Sequence, residues 1–336
     1  MKVCAVVNGS ALRVRGRIAE QLHAAAPGVV RITRSLDEAR EVIRAEVARG
    51  VDLLVLGGGD GTVVMGMTLI GEACRGTGRP EPAIGVLKLG SGNAIADSVG
   101  ASRDVVSDLV RLARGEGERF AAPMVDVLGI RAPFVGMGLD AQMLEDHEAM
   151  NRIVDRIPGG RRFLGGRARY ALSVGLRSIP RFARETRPHV TVTNLGAPAI
   201  EVGRHGPTGR ERQLGAVIWE GRAAMVAGST IPFFGFGLQM FAHATTRPDR
   251  FQLRCADPGF IEALRVVPAA FRGDYFSDHT YDFLCDRVAI ELDRPVAIEA
   301  GGELLGRHQR VELALSPPIT LAALARHRKH RVIDET

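Results

Sequence analysis

A doubly wound α/β domain over residues 1–123, followed by a β-sandwich domain over residues 124–316, is the fold the sequence predicts. Three observations carry that expectation. Apolar runs of strand length alternate with helical patterns through the first third of the chain. Two glycine-rich turns follow directly on two of those runs. Beyond about residue 123 the helical period gives way to short segments of period two. A length of 336 residues suits about two domains of ~150 residues each. An apolar fraction of 46% allows a core without disulfide or metal staples.

Val3–Val7 is a short apolar strand that stops at Asn8-Gly9-Ser10. Leu12, Ile18, Leu22 and Ala25 then fall near one helical face, and Val29–Thr33 reads as a second strand. Ser35 and Glu38 form a capping box for a helix striped by Leu36, Ala39, Ile43 and Val47, and Gly50 is placed to stop it. Val51–Leu56 is almost wholly apolar, as in a parallel strand covered on both faces. A glycine turn, a helix over about Val63–Cys74, a buried strand Ala83–Leu87 and a second glycine turn follow. A further helix carries Val105, Leu109 and Leu112 and ends at Gly115.

In the second part, antiparallel strands with one buried face are expected around Val190 and Val192. Others are expected at Leu214–Trp219, Phe251–Cys255, Val288–Leu292, Val296–Ala300 and Val311–Leu315. A helix is expected around Tyr170. The uncharged stretch Ala223–Ala244 is long enough to span a bilayer, but its glycines, Pro232, Gln239 and His243 favour buried strands with a turn. The C-terminal segment, about 317–336, is expected to return to the first domain.

Cys4, Cys74, Cys255 and Cys285 are far apart in sequence and show no metal-ligand spacing, which suits a reducing compartment. The apolar stretch at the N-terminus is too short for a signal peptide. A cytoplasmic location follows as the expectation. The net charge of +6 comes almost entirely from arginine, since the lysines are only Lys2, Lys88 and Lys329. Arginine suits bidentate phosphate contact, and a genome rich in arginine codons explains it equally well. No nucleic-acid-binding module is recognisable.

The chemistry lies in the two turns, Gly57-Gly58-Gly59-Asp60-Gly61-Thr62 and Gly90-Ser91-Gly92-Asn93. Ligands of doubly wound sheets collect at the carboxyl ends of strands, where both turns sit. Glycine permits φ > 0 and close backbone approach, and exposed N–H groups beside a helix N-terminus attract phosphate oxygens. An aspartate in such a turn repels phosphate unless a cation or a moving proton is involved, and Mg²⁺ is the usual answer. Asp60 as a plain helix cap is the bland alternative. The spacing fits neither G-x-G-x-x-G, because position 62 is threonine, nor a Walker A loop.

Gly58-Gly59-Asp60-Gly61-Thr62 resembles the GGDGT motif of the diacylglycerol kinase catalytic family, which includes sphingosine, ceramide and bacterial lipid kinases and is distantly related to NAD kinases. Gly90-Ser91-Gly92-Asn93-Ala94 resembles that family's second motif, in its sphingosine-kinase-like form. Gly138-Leu139-Asp140-Ala141 is similar to its G-F-D-A segment, and Asp126 sits where its preceding strand carries aspartate. Gly165–Tyr170 is similar to the helix start that follows. The resemblance implies a two-domain lipid kinase with ATP and Mg²⁺ in the cleft between domains, acting on a lipid at a membrane surface. Asn8, Thr33, Gly58, Gly59, Asp60, Gly61, Thr62, Gly90, Ser91, Gly92, Asn93 and Glu303 would line the nucleotide site. Asp60 and Glu303 would be catalytic, and Asp126 and Asp140 would face the lipid.

The chain departs from the family at four places. Gly301 stands where the family's D-G-E motif has aspartate, and Met65 where a glutamate follows GGDGT. The N-terminal N-P-x-S-G is reduced to Asn8-Gly9-Ser10, and no D-D-G is evident near Arg247-Pro248-Asp249. Glu299 is placed on the same side of its strand as Gly301, so it is either a replacement carboxylate, and with Asp60 a metal-ligand candidate, or a solvated strand residue. Lys88 is a phosphate contact or a surface strand end. The arginines of residues 161–187 suit anionic headgroups or a solvated helix face. Phe233, Phe234 and Phe236 suit an acyl pocket or ordinary core. Three functions remain open: a lipid kinase, a catalytically inert lipid or nucleotide sensor of the same fold, and a kinase for a soluble acceptor. The acceptor and the oligomeric state, a homodimer included, stay open too.

Overall fold

The computed structural model describes residues 1–11, 14, 17–90, 93–156, 172–184, 186–234 and 238–325. Four parallel strands open the chain: β1 (Val3–Asn8), β2 (Val30–Thr33), β3 (Leu53–Gly58) and β4 (Ala83–Lys88), ordered β4-β3-β1-β2. Helices α1 (Arg17–Ala25), α2 (Leu36–Ala48), α3 (Asp60–Thr77), α4 (Ala94–Ser98) and α5 (Val105–Ala113) connect them and cover both faces. Alternation along each strand sends side chains to opposite layers. Cys4, Val6, Leu54 and Leu56 pack with Ile43 of α2 and Met67 of α3. Ala5, Val7, Leu53 and Val55 pack with Leu22 of α1 and Leu109 of α5. Burial on both faces is why these strands read as unbroken apolar runs.

The local signals work nearly as expected. Ser35 Oγ accepts from Glu38 N at 3.1 Å. The reciprocal arm differs: Glu38 Oε2 accepts from Arg34 N at 2.7 Å, one residue before the cap. Gly50 follows α2 with φ +70°, a left-handed stop that only glycine adopts cheaply.

The second half is rich in strands: β5 (Glu118–Val127), β6 (Ile130–Ala132), β7 (Phe134–Gly138), β8 (His189–Asn194), β9 (Ala199–Gly203), β10 (Gly206–Arg212), β11 (Val217–Arg222), β12 (Met225–Ser229), β13 (Phe251–Ala256), β14 (Thr280–Cys285), β15 (Arg287–Ala300) and β16 (Glu303–Ala323). It also carries α6 (Leu139–Asp155), a π-helical turn at Val174–Ser178, α7 (Ile179–Arg184) and α8 (Phe260–Arg272). β15 divides the sheet. Its first half pairs with β8, which pairs with β11; its last residues pair with β7, from which β12, β13, β14, β9 and β10 continue. The two branches pack on each other, with Trp219 of β11 against Tyr281 of β14 at a ring separation of 5.9 Å.

The segments 288–292 and 296–300, expected as separate strands, form the single strand β15. Its register shifts between Glu291 and Val296, where Pro295 cannot donate to the ladder. β16 runs from the β15 turn along β5 and reaches β4, where Leu321 pairs with Ile84. The stretch Ala223–Ala244 supplies β12 and a Phe233–Gln239 bridge. Among the described residues no helix is long and apolar enough to cross a membrane. Residues around Tyr170 and residues 326–336 lie outside the described set.

Candidate functional site

Both glycine turns stand at the same edge of the parallel sheet. β3 and β4 are neighbours in register to Gly58 and Lys88, and Leu89 N donates to Gly58 O at 3.1 Å. Asp60, first residue of α3, reaches across. Its Oδ2 accepts from Ala94 N and its Oδ1 from Ile95 N, each at 3.0 Å. Ala94 and Ile95 begin α4, so Asp60 caps the neighbouring helix rather than its own, a contact no local pattern reveals. Only 8% of Asp60 is exposed. Burial lifts its carboxyl from 3.8 to about 6, against the two N–H groups, which pull the value down. Asn93, also buried, closes the second turn by accepting from Gly90 N and donating to Gly90 O. Ser91 and Gly92 lie outside the described residues.

The glycines of the first turn serve a purpose other than positive φ. Gly59 has φ −91°, and Gly57, Gly58, Gly61 and Gly90 are also absent from the left-handed region. At Gly57, Gly58 and Gly61 there is little room for a side chain. A Cβ on Gly58 would stand 2.5 Å from Thr62 Cβ, and one on Gly61 would stand 2.0 Å from Glu303 Oε1. Glu303, at the start of β16, thus lies directly over the beginning of α3. Burial raises its carboxyl above the ordinary glutamate range, with Glu148 adding to the effect.

A cavity of about 530 Å³ opens beside this contact. Asn8, Thr33, Thr62 and Glu303, distant in sequence, share its wall, with Leu36 and Ile43 of α2 as apolar lining. Asn8 Nδ2 donates to Thr62 Oγ1 at 3.0 Å, fixing the end of β1 to the first turn of α3. A cavity of this size with a few convergent polar groups suits a small ligand.

A second group of acids assembles behind the first. Asp140, in the first turn of α6, and Glu299, near the end of β15, crowd the same side of Gly136 on β7. A Cβ there would stand 1.4 Å from Asp140 Oδ2 and 3.1 Å from Glu299 Oε1. Glu299 is 4% exposed, so the solvated reading of this residue is wrong. Its Oε2 accepts from Gly302 N at 2.7 Å. Both oxygens of Asp140 are buried and neither makes a hydrogen bond of ordinary geometry; the N–H groups of Asp140 and Ala141 stand near enough only to pull its value down. Burial raises Asp140 to about 7, and burial together with the Asp140 charge raises Glu299 well above its ordinary value. Two such groups cannot both ionise without a cation or a shared proton. Among the described residues no three acids, histidines or cysteines converge as a metal cluster.

Gly301 explains its own departure from the family pattern. Its φ is +56°, and a Cβ would stand 2.2 Å from Val64 Cγ2 of α3. The β15–β16 turn is pressed onto α3 too closely for an aspartate, while Glu299, two residues earlier, points inward beside Gly136 and Asp140. Gly136 is the site residue that sequence reading missed, although its spacing two before Gly138 was a visible signal.

The other expected residues are placed as follows. Asp126 closes the β5–β6 turn, accepting from Gly129 N at 3.2 Å. Lys88 pairs with Asp97 of α4. Arg181 lies 3.6 Å from both Glu145 and Asp146 of α6, and Arg187 meets Asp257 at 3.1 Å, so these two arginines have acidic partners within the chain. Arg161, Arg162, Arg167 and Arg169 lie outside the described residues. Phe233 is buried with Ala94, Phe134 and Ile231, and Phe234 packs against that cluster. Phe236 also lies outside the described residues.

The site thus rests on a parallel sheet with two glycine turns at adjacent strand ends, joined to a strand-rich half that lays a glutamate over the first turn. Residues 4–124 match the model of the diacylglycerol kinase catalytic domain. Solved structures agree over nearly the whole length. A diacylglycerol kinase from Bacillus anthracis str. Sterne is similar at TM-score 0.61 and 14% identity, covering 96% of both chains. Another protein of that organism, named only as a candidate diacylglycerol kinase, reaches TM-score 0.64 at 16% identity, over 96% of this chain and 97% of its own. Such low identities speak for the shared fold. No curated protein matches the sequence.

Proposed function

We propose that the chain is an ATP-dependent lipid kinase that moves the γ-phosphoryl group to a hydroxyl of a diacylglycerol-like or sphingoid-like lipid, working at a membrane surface. One observation carries this reading above the rest. Asp60 ties the two glycine turns together, and the same point of the molecule gathers Glu303 over Gly61 and the buried Asp140–Glu299 pair behind it.

In this reading Asn8, Thr33, Thr62 and Glu303 hold the nucleotide in the cavity beside α3, with the N-terminus of α3 favouring its phosphates. Asp60 commits both oxygens to backbone N–H groups, so it positions the second turn instead of serving as a free ligand. The acids left for a cation are Asp140 and Glu299. A buried carboxylate beside a second carboxylate fits Mg²⁺, which takes one or two carboxylates and completes its shell with phosphate oxygens and water. When bound, the ion would supply charge neutralisation at the transferring phosphoryl group. Whichever of the two carboxylates holds no ion is suited to accept the proton of the attacking hydroxyl.

A second reading, an inert nucleotide or lipid sensor, draws support from the engagement of both Asp60 oxygens and from Gly301. Radiolabelled ATP with Mg²⁺ and a lipid panel separates the two, with wild type set against Asp140→Asn. Label in a lipid that disappears in the variant is the expected result. Nucleotide binding by the wild type without label in any lipid would overturn the kinase reading in favour of the sensor.

A further inference from the structure

Helix α8 is amphipathic in the wrong sense for a helix that serves the core. Its inward positions are small or modest: Ala270 is 3% exposed, and Ala263, Val266 and Ala269 are half-buried. Four of its larger apolar side chains face out. Phe260 is 38% exposed, Ile261 62%, Val267 43% and Phe271 50%. At 100° per residue these four positions, with exposed Pro268 between them, fall on one arc opposite the alanines. Isolated exposed hydrophobics are ordinary, but an outward stripe along a whole helix marks a contact surface.

The charges beside this stripe are positive. Arg265 and Arg272, seven residues apart and both exposed, flank one edge of the arc, and neither has an ion pair among the described residues. Glu262, the helix's only acid, is engaged by His279 Nδ1 at 2.8 Å. The α7 segment adjoins the start of the helix: Phe182 packs on Phe260 at a ring separation of 6.4 Å, and exposed Arg184 follows two residues later. Phe182 also lines a small cavity together with Gly138 and Leu139, the residues that lead into Asp140. The stripe therefore lies one side-chain layer from the start of α6.

We infer that the outward face of α8 is a docking surface for an anionic lipid bilayer, with Ile261, Val267 and Phe271 entering the interface and Arg265 and Arg272 meeting the headgroups. Apolar residues on one face with arginines at its border are the composition of helices that lie in a membrane interface. Basic side chains near a surface of acidic lipid add attraction that salt weakens. The inference rests on the lipid-kinase reading for its purpose, since docking here would set Asp140 close to a membrane-borne hydroxyl. Its physical basis, the inverted helix with its basic edge, is independent of catalysis.

The test is co-sedimentation of the full chain with vesicles of phosphatidylcholine, with or without phosphatidylglycerol. Wild type is compared with Ile261→Ser/Phe271→Ser and with Arg265→Gln/Arg272→Gln, each variant first shown to keep the wild-type Tm. Wild type is expected to pellet with the anionic vesicles and to be released by salt. The serine pair should weaken that binding at least about tenfold, and the glutamine pair about tenfold, on acidic lipid only. A polarity-sensitive dye on Phe271→Cys should shift to shorter wavelength when vesicles are added. Unchanged partitioning of both variants, or an unshifted dye, overturns the assignment. So does a serine pair that still binds vesicles but turns a dimer into a monomer in light scattering, because a second copy of the chain would then cover the face. Phosphoryl transfer to a detergent-dispersed acceptor should be equal in all three proteins. A wild type that binds vesicles yet labels no acceptor would sink the kinase reading and leave the docking surface standing.

Discussion

The glycine turns on β3 and β4 and the acid pair Asp140–Glu299 lie close enough for Asp60 to act on Glu299, yet they are built in opposite ways. Each turn is a continuous stretch of sequence, fixed by a strand that ends and a helix that begins. The acid pair joins the first turn of α6 to the end of β15, two positions separated by most of the second half of the chain. The turns satisfy their own polar groups: Asp60 and Asn93 bind backbone at close range. The acid pair does not, since neither Asp140 oxygen makes a hydrogen bond of ordinary geometry. One region is organised for folding, and the other holds acids that the fold leaves uncompensated. That contrast is testable.

The largest effect is expected at Asp60. Asp60→Ala removes the acceptor for two buried N–H groups, at about 1–3 kcal/mol each, and lets the second turn drift. Both Tm and phosphoryl transfer should fall, transfer by about a thousandfold. Asp60→Asn, which keeps one acceptor oxygen, should recover part of the Tm. A variant with lowered Tm and wild-type transfer would show that the turns need no such tie.

Asp140→Asn should break the contrast from the other side, with opposite signs for activity and stability. The carboxyl titrates near 7 in the fold and at 3.8 as a free side chain. Between those values the folded state holds more protons, so the group's contribution is intact below the lower value and is lost as pH rises through the upper one. Near pH 8 the asparagine variant should therefore be more stable than wild type by roughly 2–4 kcal/mol, at 1.36 kcal/mol per pH unit. The difference should vanish below about pH 4. Transfer should drop at least a hundredfold or so. Urea unfolding at the two pH values, beside the transfer assay, decides it. Glu299→Gln should follow the same pattern.

Gly301→Asp sharpens the comparison, because it restores the family's carboxylate where this chain has packed α3 instead. With φ +56° and Val64 Cγ2 2.2 Å from the added Cβ, it should lose about 1–3 kcal/mol of stability and gain no activity. Improved transfer would mean that Glu299 is no replacement. The smallest effect is expected at a cap remote from the cleft. Asp104 accepts from Ser107 N at 3.1 Å at the start of α5, and Asp104→Ala should lower stability by ~1 kcal/mol in thermal melts with transfer unchanged.

Legibility followed contact range. The capping serine at 35, the stop at Gly50 and the apolar strands Val3–Val7, Val51–Leu56 and Ala83–Leu87 were readable because each rests on neighbours within a turn or on strand-period burial. The break of β15 at Pro295 looked like a strand end because a missing donor reads the same in either case. α8 was not anticipated although its apolar residues recur on one arc, because Pro268 lies inside it and Gly259 offers no capping side chain. Glu299 could be placed on a side of its strand but not assigned to solvent or interior. That depended on α6 and β7 arriving beside it.

The sequence by itself determined a parallel sheet with two glycine turns at adjacent strand ends, because backbone sterics and burial period act over a few residues. Only the tertiary structure decided why those glycines are needed, which helix Asp60 caps, and which acids are left uncompensated. Those outcomes depend on groups brought together from elements about 240 residues apart, such as Glu303, whose carboxyl fills the space a Cβ on Gly61 would need. No local pattern encodes that approach, since it is set by how β16 lays its first residues over α3.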